Sequence, residues 1–151
     1  MTDSNENKYL AQLAMQEKQF DALYRSAGAR LGLPDCAMWV LYFLISADEE
    51  LTQQELIGKM MFPKQTINSA VANLVKKKLV KLEMIPGTKN RKKVLLTTAG
   101  TELAVNSVGR MRNAELHAVR SMGEKRMKQF ANLYSEFFEA MKDAFTKDGL
   151  A

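Results

Sequence analysis

The chain is predicted to be mostly α-helical with one small β-hairpin, and three observations carry this. Apolar residues recur at steps of three and four through most of the 151 residues. Alternation of apolar and polar residues around a Pro-Gly turn is confined to residues 79–97. Pro34 and Pro63 each precede a helical pattern, where a residue without an N–H leaves nothing unpaired.

Taken in order, Leu10, Leu13, Phe20, Tyr24, Ala27 and Leu31 form a coiled-coil-like stripe, interrupted at Glu17, on a long first helix from Tyr9 to Leu31. Gly28 and Gly32 loosen its end. A second helix opened by Pro34 runs to about Ala47 and is apolar nearly all round, so it is expected to be the most buried element. After the acidic turn Asp48-Glu49-Glu50, Thr52 and Glu55 have capping-box spacing, and a short third helix ends near Met60. Pro63 opens a fourth helix to about Lys78, whose inner stripe is Ile67, Ala70, Val71 and Leu74, closed by Lys78. Two short helices joined by a tight turn make a helix-turn-helix. Leu79–Ile85 and Val94–Thr97 then pair as a hairpin about Pro86-Gly87. Leu103, Val108 and Met111 mark a helix from Thr98 to about Met122 with a weak point at Gly109, and Gly123 breaks the chain. The last helix carries Met127, Phe130, Tyr134, Phe137, Phe138, Met141 and Phe145 on a wide apolar face. The first eight and last five residues are expected to fray.

Composition excludes several classes of function. The longest unbroken apolar run, Cys36 to Ile45, is about half of what a bilayer-spanning helix needs. The opening MTDSNENKYL has no basic stretch followed by an apolar run, so a cytoplasmic protein is expected. A single cysteine closes no intrachain disulfide, and with one histidine, His117, there is no Cys/His metal set. Neither a Gly-rich phosphate loop nor a nucleophile–base pair is visible, so neither cofactor nor enzymatic activity is expected. The net charge of +5 is unevenly placed: residues 51–100 hold ten Lys/Arg against two Asp/Glu, while residues 1–50 hold four against eight. Lys76, Lys77, Lys78, Lys81, Lys89, Arg91, Lys92 and Lys93 face one acid, Glu83, which points to a polyanionic partner.

The outer face of the fourth helix sharpens this expectation. Gln65, Ser69, Ala72 and Lys76 lie opposite the apolar stripe, flanked by Lys64, Thr66, Asn68 and Asn73, and none of them is acidic. An ordinary solvated face mixes Glu with Lys, whereas amides, hydroxyls, a small alanine and lysines suit base edges, a thymine methyl and phosphates. The hairpin tip holds Lys89, Asn90, Arg91, Lys92 and Lys93, a basic wing for phosphate or a narrow minor groove. Thr52 and Gln53, at the start of the third helix, are expected to cap it and to meet phosphate.

This order of elements, with Leu96-Thr97-Thr98-Ala99-Gly100 directly after the wing, resembles the MarR family of bacterial transcriptional regulators over nearly the whole chain. The family's wing usually carries an Asp shortly before an Arg; here Asn90 precedes Arg91. The resemblance implies a winged helix-turn-helix lobe over residues 34–100, with dimerisation helices over 6–32 and 101–147. It also implies a homodimer in which Tyr9, Leu10, Leu13, Phe137, Phe138, Met141 and Phe145 are candidate interface residues. The apolar stripes of the first and last helices support this independently, since a core this small cannot cover both. A small aromatic or anionic effector is a further implied partner, with Met38, Trp39, Tyr42, Arg110 and Arg112 as candidate pocket residues. The expected function is a ligand-responsive repressor that binds a pseudo-palindromic double-stranded DNA operator. The alternative is a winged-helix adaptor whose basic segment binds an acidic protein. Cys36, beside Asp35 at a helix start, is either a buried small hydrophobe or a redox-sensitive thiol.

Overall fold

The computed structural model describes residues 5–150. Seven helices and one hairpin follow in the order α1 (Asn5–Leu31), α2 (Asp35–Ser46), α3 (Gln53–Met60), α4 (Lys64–Lys76), β1 (Val80–Met84), β2 (Lys92–Leu96), α5 (Thr98–Asn106), α6 (Val108–Met122) and α7 (Glu124–Lys147). The chain divides into two compact units, Met1–Met111 and Arg112–Ala151, and the division falls within α6. Of the segments expected to fray, residues 1–4 and 151 lie outside the described residues, and residues 5–8 are already helical.

The first unit is built around α2. Its Met38, Val40 and Leu41 are fully buried and share one core with Leu56 of α3, Ile67 and Val71 of α4, Val80 and Val94 of the hairpin, and Ala104 and Val108. An element that is apolar all round has no face for water and is stable only inside such a shell. α1 reaches this core only at its C-terminal end and buries a single residue, Gly28. A Cβ there would stand 3.0 Å from the Met38 Sδ, so the missing side chain lets α1 approach α2 closely. α1 then stops at Gly32, whose φ of 66° permits the two closing bonds from Gly32 N–H to Ala29 O (3.2 Å) and Leu33 N–H to Gly28 O (3.1 Å).

α3 begins with the capping box anticipated from its spacing. The Thr52 N–H donates to Glu55 Oε2 (2.7 Å), the Thr52 hydroxyl donates to the same oxygen (2.8 Å), and the Glu55 N–H donates to Thr52 Oγ1 (3.2 Å). The Thr52 backbone N–H, then its hydroxyl, hold the Glu55 carboxyl below the usual glutamate range, with smaller help from Arg91 and Lys59.

Two helix ends within the first unit's later elements differ from the sequence expectation. α4 ends at Lys76, and Lys78, expected to close its apolar stripe, is instead exposed in the left-handed region at φ 58°. Bonds from Lys78 N–H to Val75 O (2.8 Å) and Leu79 N–H to Leu74 O (2.9 Å) terminate the helix there, a closure that usually takes glycine. The helix expected over residues 98–122 is two, because the chain turns at Ser107 (φ −115°, ψ −89°) and not at Gly109. The buried Ser107 hydroxyl donates to Leu103 O at 2.5 Å and competes with the helical ladder. Gly109 lies inside α6, where a Cβ would meet Ala104 O at 3.3 Å; its role is close packing.

β1 and β2 pair antiparallel from Val80↔Leu96 to Met84↔Lys92. At the root of this hairpin, Thr97 caps α5: its Oγ1 accepts from the Gly100 N–H (3.0 Å) and donates to Lys78 O (2.7 Å) and Leu79 O (3.1 Å). Gly100 presses so closely on this strand start that a Cβ would lie 1.8 Å from Leu79 O, which explains the spacing Leu96-Thr97-Thr98-Ala99-Gly100 in physical terms.

The second unit comprises the remainder of α6 and α7. α7 starts after Gly123 (φ 81°), as expected, and buries none of its residues. Among the described residues, no single helix is long and apolar enough to cross a membrane.

Gly100→Ala is expected to destabilise the fold by at least about 3 kcal/mol, because backbone blocks the new methyl group, and urea unfolding measures it. Thr52→Ala is expected to cost about 1–2 kcal/mol. Glu55 has a depressed folded-state pKa, so its contribution is present above the ordinary glutamate range and is lost as pH falls through the folded value. Glu55→Gln should therefore be less stable than the natural chain at neutral pH, with the gap closing as the pH falls below the ordinary glutamate range. A gap that widens on acidification would contradict this assignment.

Candidate nucleic-acid interface

The helix-turn-helix is α3 and α4, joined through Met61 in the left-handed region (φ 54°) and capped at α4 by Pro63. Burial of Ile67, Val71 and Leu74 fixes the rotation of α4. Lys64, Gln65, Thr66, Ser69, Ala72, Asn73 and Lys76 are left exposed, while Asn68 is half-buried. No acid stands in the first turn of α4, so no side chain of that turn compensates the positive end of its dipole. Thr52 is buried and its hydroxyl is engaged in the capping box, which leaves it a structural role. Gln53 turns toward α4, its Nε2 donating to Asn68 Oδ1 at 2.8 Å.

The wing projects from the same lobe. Ile85 N–H donates to Arg91 O (2.9 Å), and Thr88 closes the turn through its N–H and hydroxyl on Ile85 O (3.2 and 2.8 Å). Lys89, Asn90 and Arg91 are exposed around this turn, and Lys92 is exposed at the start of β2. Lys93, expected at the tip, lies one residue further along β2 and is half-buried. Its Nζ is 2.6 Å from Glu50 Oε2, and that hydrogen bond and charge raise its pKa above the ordinary lysine value. Beside it, Val94 N–H donates to Leu51 O (2.8 Å), and Thr52 pairs with Lys93 as an isolated antiparallel bridge. The wing root is thus fastened to the segment before α3 by Glu50, a residue that sequence reasoning did not single out. The acidic run before a basic hairpin was the available signal.

A second missed feature is a cleft of about 660 Å3 between α4 and the α1–α2 turn. Thr66, Ser69, Asn73 and Lys77 form one wall, and Leu31 and Leu33 stand on the other. One edge of the outer face of α4 therefore looks into a cleft. Cys36 also lines it, and its thiol is pushed up in pKa by burial and by the adjacent Asp35 charge, which keeps it protonated and a poor nucleophile. The candidate pocket residues from the sequence lie elsewhere. Met38 is fully buried, so it lines no open cavity. Trp39 packs between Tyr24 (5.1 Å between centroids) and Tyr42 (5.3 Å), each ring half-buried. Arg110 is exposed, and Arg112, half-buried, belongs to the second unit. His117 is exposed.

The candidate dimer residues fall on α1 and α7. Tyr9 is 63% exposed, Leu10 54%, Phe138 60% and Phe145 45%; Phe137 and Met141 are also exposed, and Leu13 is half-buried. No group of three or more His, Cys, Asp or Glu is arranged to hold a metal ion among the described residues.

By sequence, the chain matches none of the curated proteins. Its fold is close to that of solved structures of low identity. NMB1585, a MarR family regulator from Neisseria meningitidis, superposes with a TM-score of 0.80 at 18% identity, over 93% of this chain and 98% of that one. The MepR–DNA complex from S. aureus gives 0.65 at 18% identity, over 88% and 97%. NadR in complex with 4-hydroxyphenylacetate gives 0.67 at 17% identity, over 91% and 94%. Residues 31–89, which hold α2 to the wing turn, match the MarR family model, and the chain as a whole has the MarR family transcriptional regulator fold.

Proposed function

We propose that the protein is a homodimeric transcriptional regulator that reads a pseudo-palindromic DNA operator and represses by occupying it. The observation that carries this reading is the outer face of α4: amides, hydroxyls and lysines without an acid, on a helix whose opposite face is buried, beside a basic wing. Gln65, Ser69, Ala72 and Asn73 are the groups suited to base edges, and Lys64 and Lys76 to phosphates. Lys89, Arg91 and Lys92 reach the neighbouring backbone or minor groove, Asn90 turns the tip, and Lys93 holds the wing root. Thr52 caps α3 beneath this surface. The DNA in the MepR complex is consistent with such a surface on this fold.

Dimerisation covers the apolar faces of α1 and α7 through Tyr9, Leu10, Leu13, Phe137, Phe138, Met141 and Phe145. Burying a fully exposed side chain of this kind contributes about 1.5–3 kcal/mol, and the remaining exposed area of these residues is the favourable term set against the freedom lost on association. On this reading residues 34–100 are the DNA-binding lobe, and residues 6–32 and 101–147 the dimerisation helices. A two-fold dimer presents its recognition helices about 34 Å apart, one turn of DNA. The effector is a small molecule with an aromatic or otherwise apolar body and a negative charge, seated in the cleft beside α4. There Leu31 and Leu33 supply apolar wall and Lys77 a positive charge. Trp39, Tyr42 and Arg110 are the alternative ligand-contacting set.

Selection from random duplex DNA at moderate salt is expected to enrich an inverted repeat with half-sites about one turn apart. Arg91→Ala with Lys92→Ala should weaken binding for all sequences and reduce the salt slope by about 2. Retention that fades with salt and enriches no repeat would favour the adaptor reading, in which the basic segment binds an acidic protein. Sedimentation at micromolar concentration is expected to give twice the chain mass, and Phe138→Glu to give a monomer. A natural chain that sediments as a monomer would remove the dimer.

A further inference from the structure

We infer that Gln53 and Asn68 form one composite reading edge, so that a residue of the first helix of the helix-turn-helix sets base choice through a residue of the second. This rests on the DNA-reading function proposed above and adds a determinant to it. Gln53 is the first residue of α3, directly after Thr52, whose position the capping box fixes with three hydrogen bonds. Asn68 is fixed from the other side, because its neighbours Ile67 and Val71 are buried. The two amides therefore meet as already positioned groups, at 2.8 Å from Gln53 Nε2 to Asn68 Oδ1, and both side chains are half-buried. A restrained pair loses little further rotamer freedom when it meets a ligand.

What the pair still offers follows from the inventory of an amide group. The shared bond uses one N–H of Gln53 and one lone pair of the Asn68 oxygen. Gln53 Oε1 remains as an acceptor, and Asn68 Nδ2 with the second Gln53 N–H as donors. Turning both amides over also leaves an acceptor oxygen beside amide donors, so the result does not depend on which way round they are assigned. In the major groove, adenine is the base that presents a donor beside an acceptor, N6–H2 beside N7. Guanine presents two acceptors, cytosine a donor and thymine an acceptor beside a methyl group. Phosphate oxygens only accept, so a pair whose outward groups include an acceptor suits a base better than the backbone. The preferred partner is an adenine at one position in each half-site.

The test is selection from random duplex DNA with the full chain and with Gln53→Ala, Gln53→Met, Asn68→Ala and the double variant Gln53→Ala with Asn68→Ala. Gln53→Met keeps the length of the side chain and the helix propensity, so a folding defect in the alanine variant does not decide the outcome. The natural chain is expected to favour adenine at one position per half-site by at least about fivefold. Each single variant should flatten that position alone, the double variant should flatten it no further, and the salt dependence of affinity should stay the same. Variants that keep every base preference of the natural chain would overturn the composite edge and leave the regulator reading intact. Uniform weakening with a smaller salt slope would overturn it in favour of phosphate contact. A natural chain that enriches no repeat would overturn both readings together.

Discussion

The carbonyl of Leu79 is the point on which the geometry of the winged helix-turn-helix lobe depends. It accepts the Thr97 N–H at 3.0 Å and the Thr97 hydroxyl at 3.1 Å, and Gly100 of α5 lies against it with no room for a side chain. The N–H of the same residue donates to Leu74 O and closes α4. One residue thus joins the end of α4, the start of β1, the end of β2 and the first turn of α5. A hydrogen bond contributes about 0.5–1.5 kcal/mol net, but a buried group left unpaired costs more. The joint is therefore strong mainly because any alternative arrangement strands its polar atoms.

The other end of the lobe is braced with equal economy. Glu55 and Thr52 hold the start of α3, Gln53 ties α3 to Asn68 of α4, and Leu51 O and Glu50 hold β2 through Val94 and Lys93. Apart from Asn68 and Lys93, these braces use backbone atoms or residues outside the outer face of α4. The helix is held in orientation while most of its outward amides, hydroxyls and lysines stay exposed. Lys93 does serve the brace, so the basic wing holds its charge farther out, at Lys89, Arg91 and Lys92.

Element types and order were legible because each carries a local signal: prolines at helix starts, a capping box, a three-and-four apolar stripe, and alternation around Pro86-Gly87. The inner face of α4 was legible for the same reason, since Ile67, Val71 and Leu74 cannot face water together. What escaped was set by contacts distant in sequence or by one side chain acting on its own backbone. The turn at Ser107 comes from a serine hydroxyl that binds the carbonyl four residues earlier, a bond serine makes in some helices and not in others. Lys78 took a conformation expected of glycine because the closure of α4 against Leu74 and Val75 left no other path to Leu79. The Glu50–Lys93 pair spans 43 residues and the Gln53–Asn68 pair 15, separations at which periodicity says nothing.

The same bracing bears on how an effector in the cleft beside α4 would act. A ligand shifts binding only by the difference in its affinity for the DNA-competent and DNA-free states, and a hundredfold loss of operator affinity requires about 2.7 kcal/mol of such difference. Moving α4 within its lobe would break the Leu79 joint at one end and the Gln53–Asn68 bond at the other, at a cost comparable to that sum. Occupying Thr66, Ser69 and Asn73 where they stand breaks nothing, since these residues already line the cleft. On the function proposed above, an anionic ligand there would withdraw groups suited to base contact and would set its charge against the phosphates. On this energetic ground, the economical route to release is competition for one edge of an immobile helix.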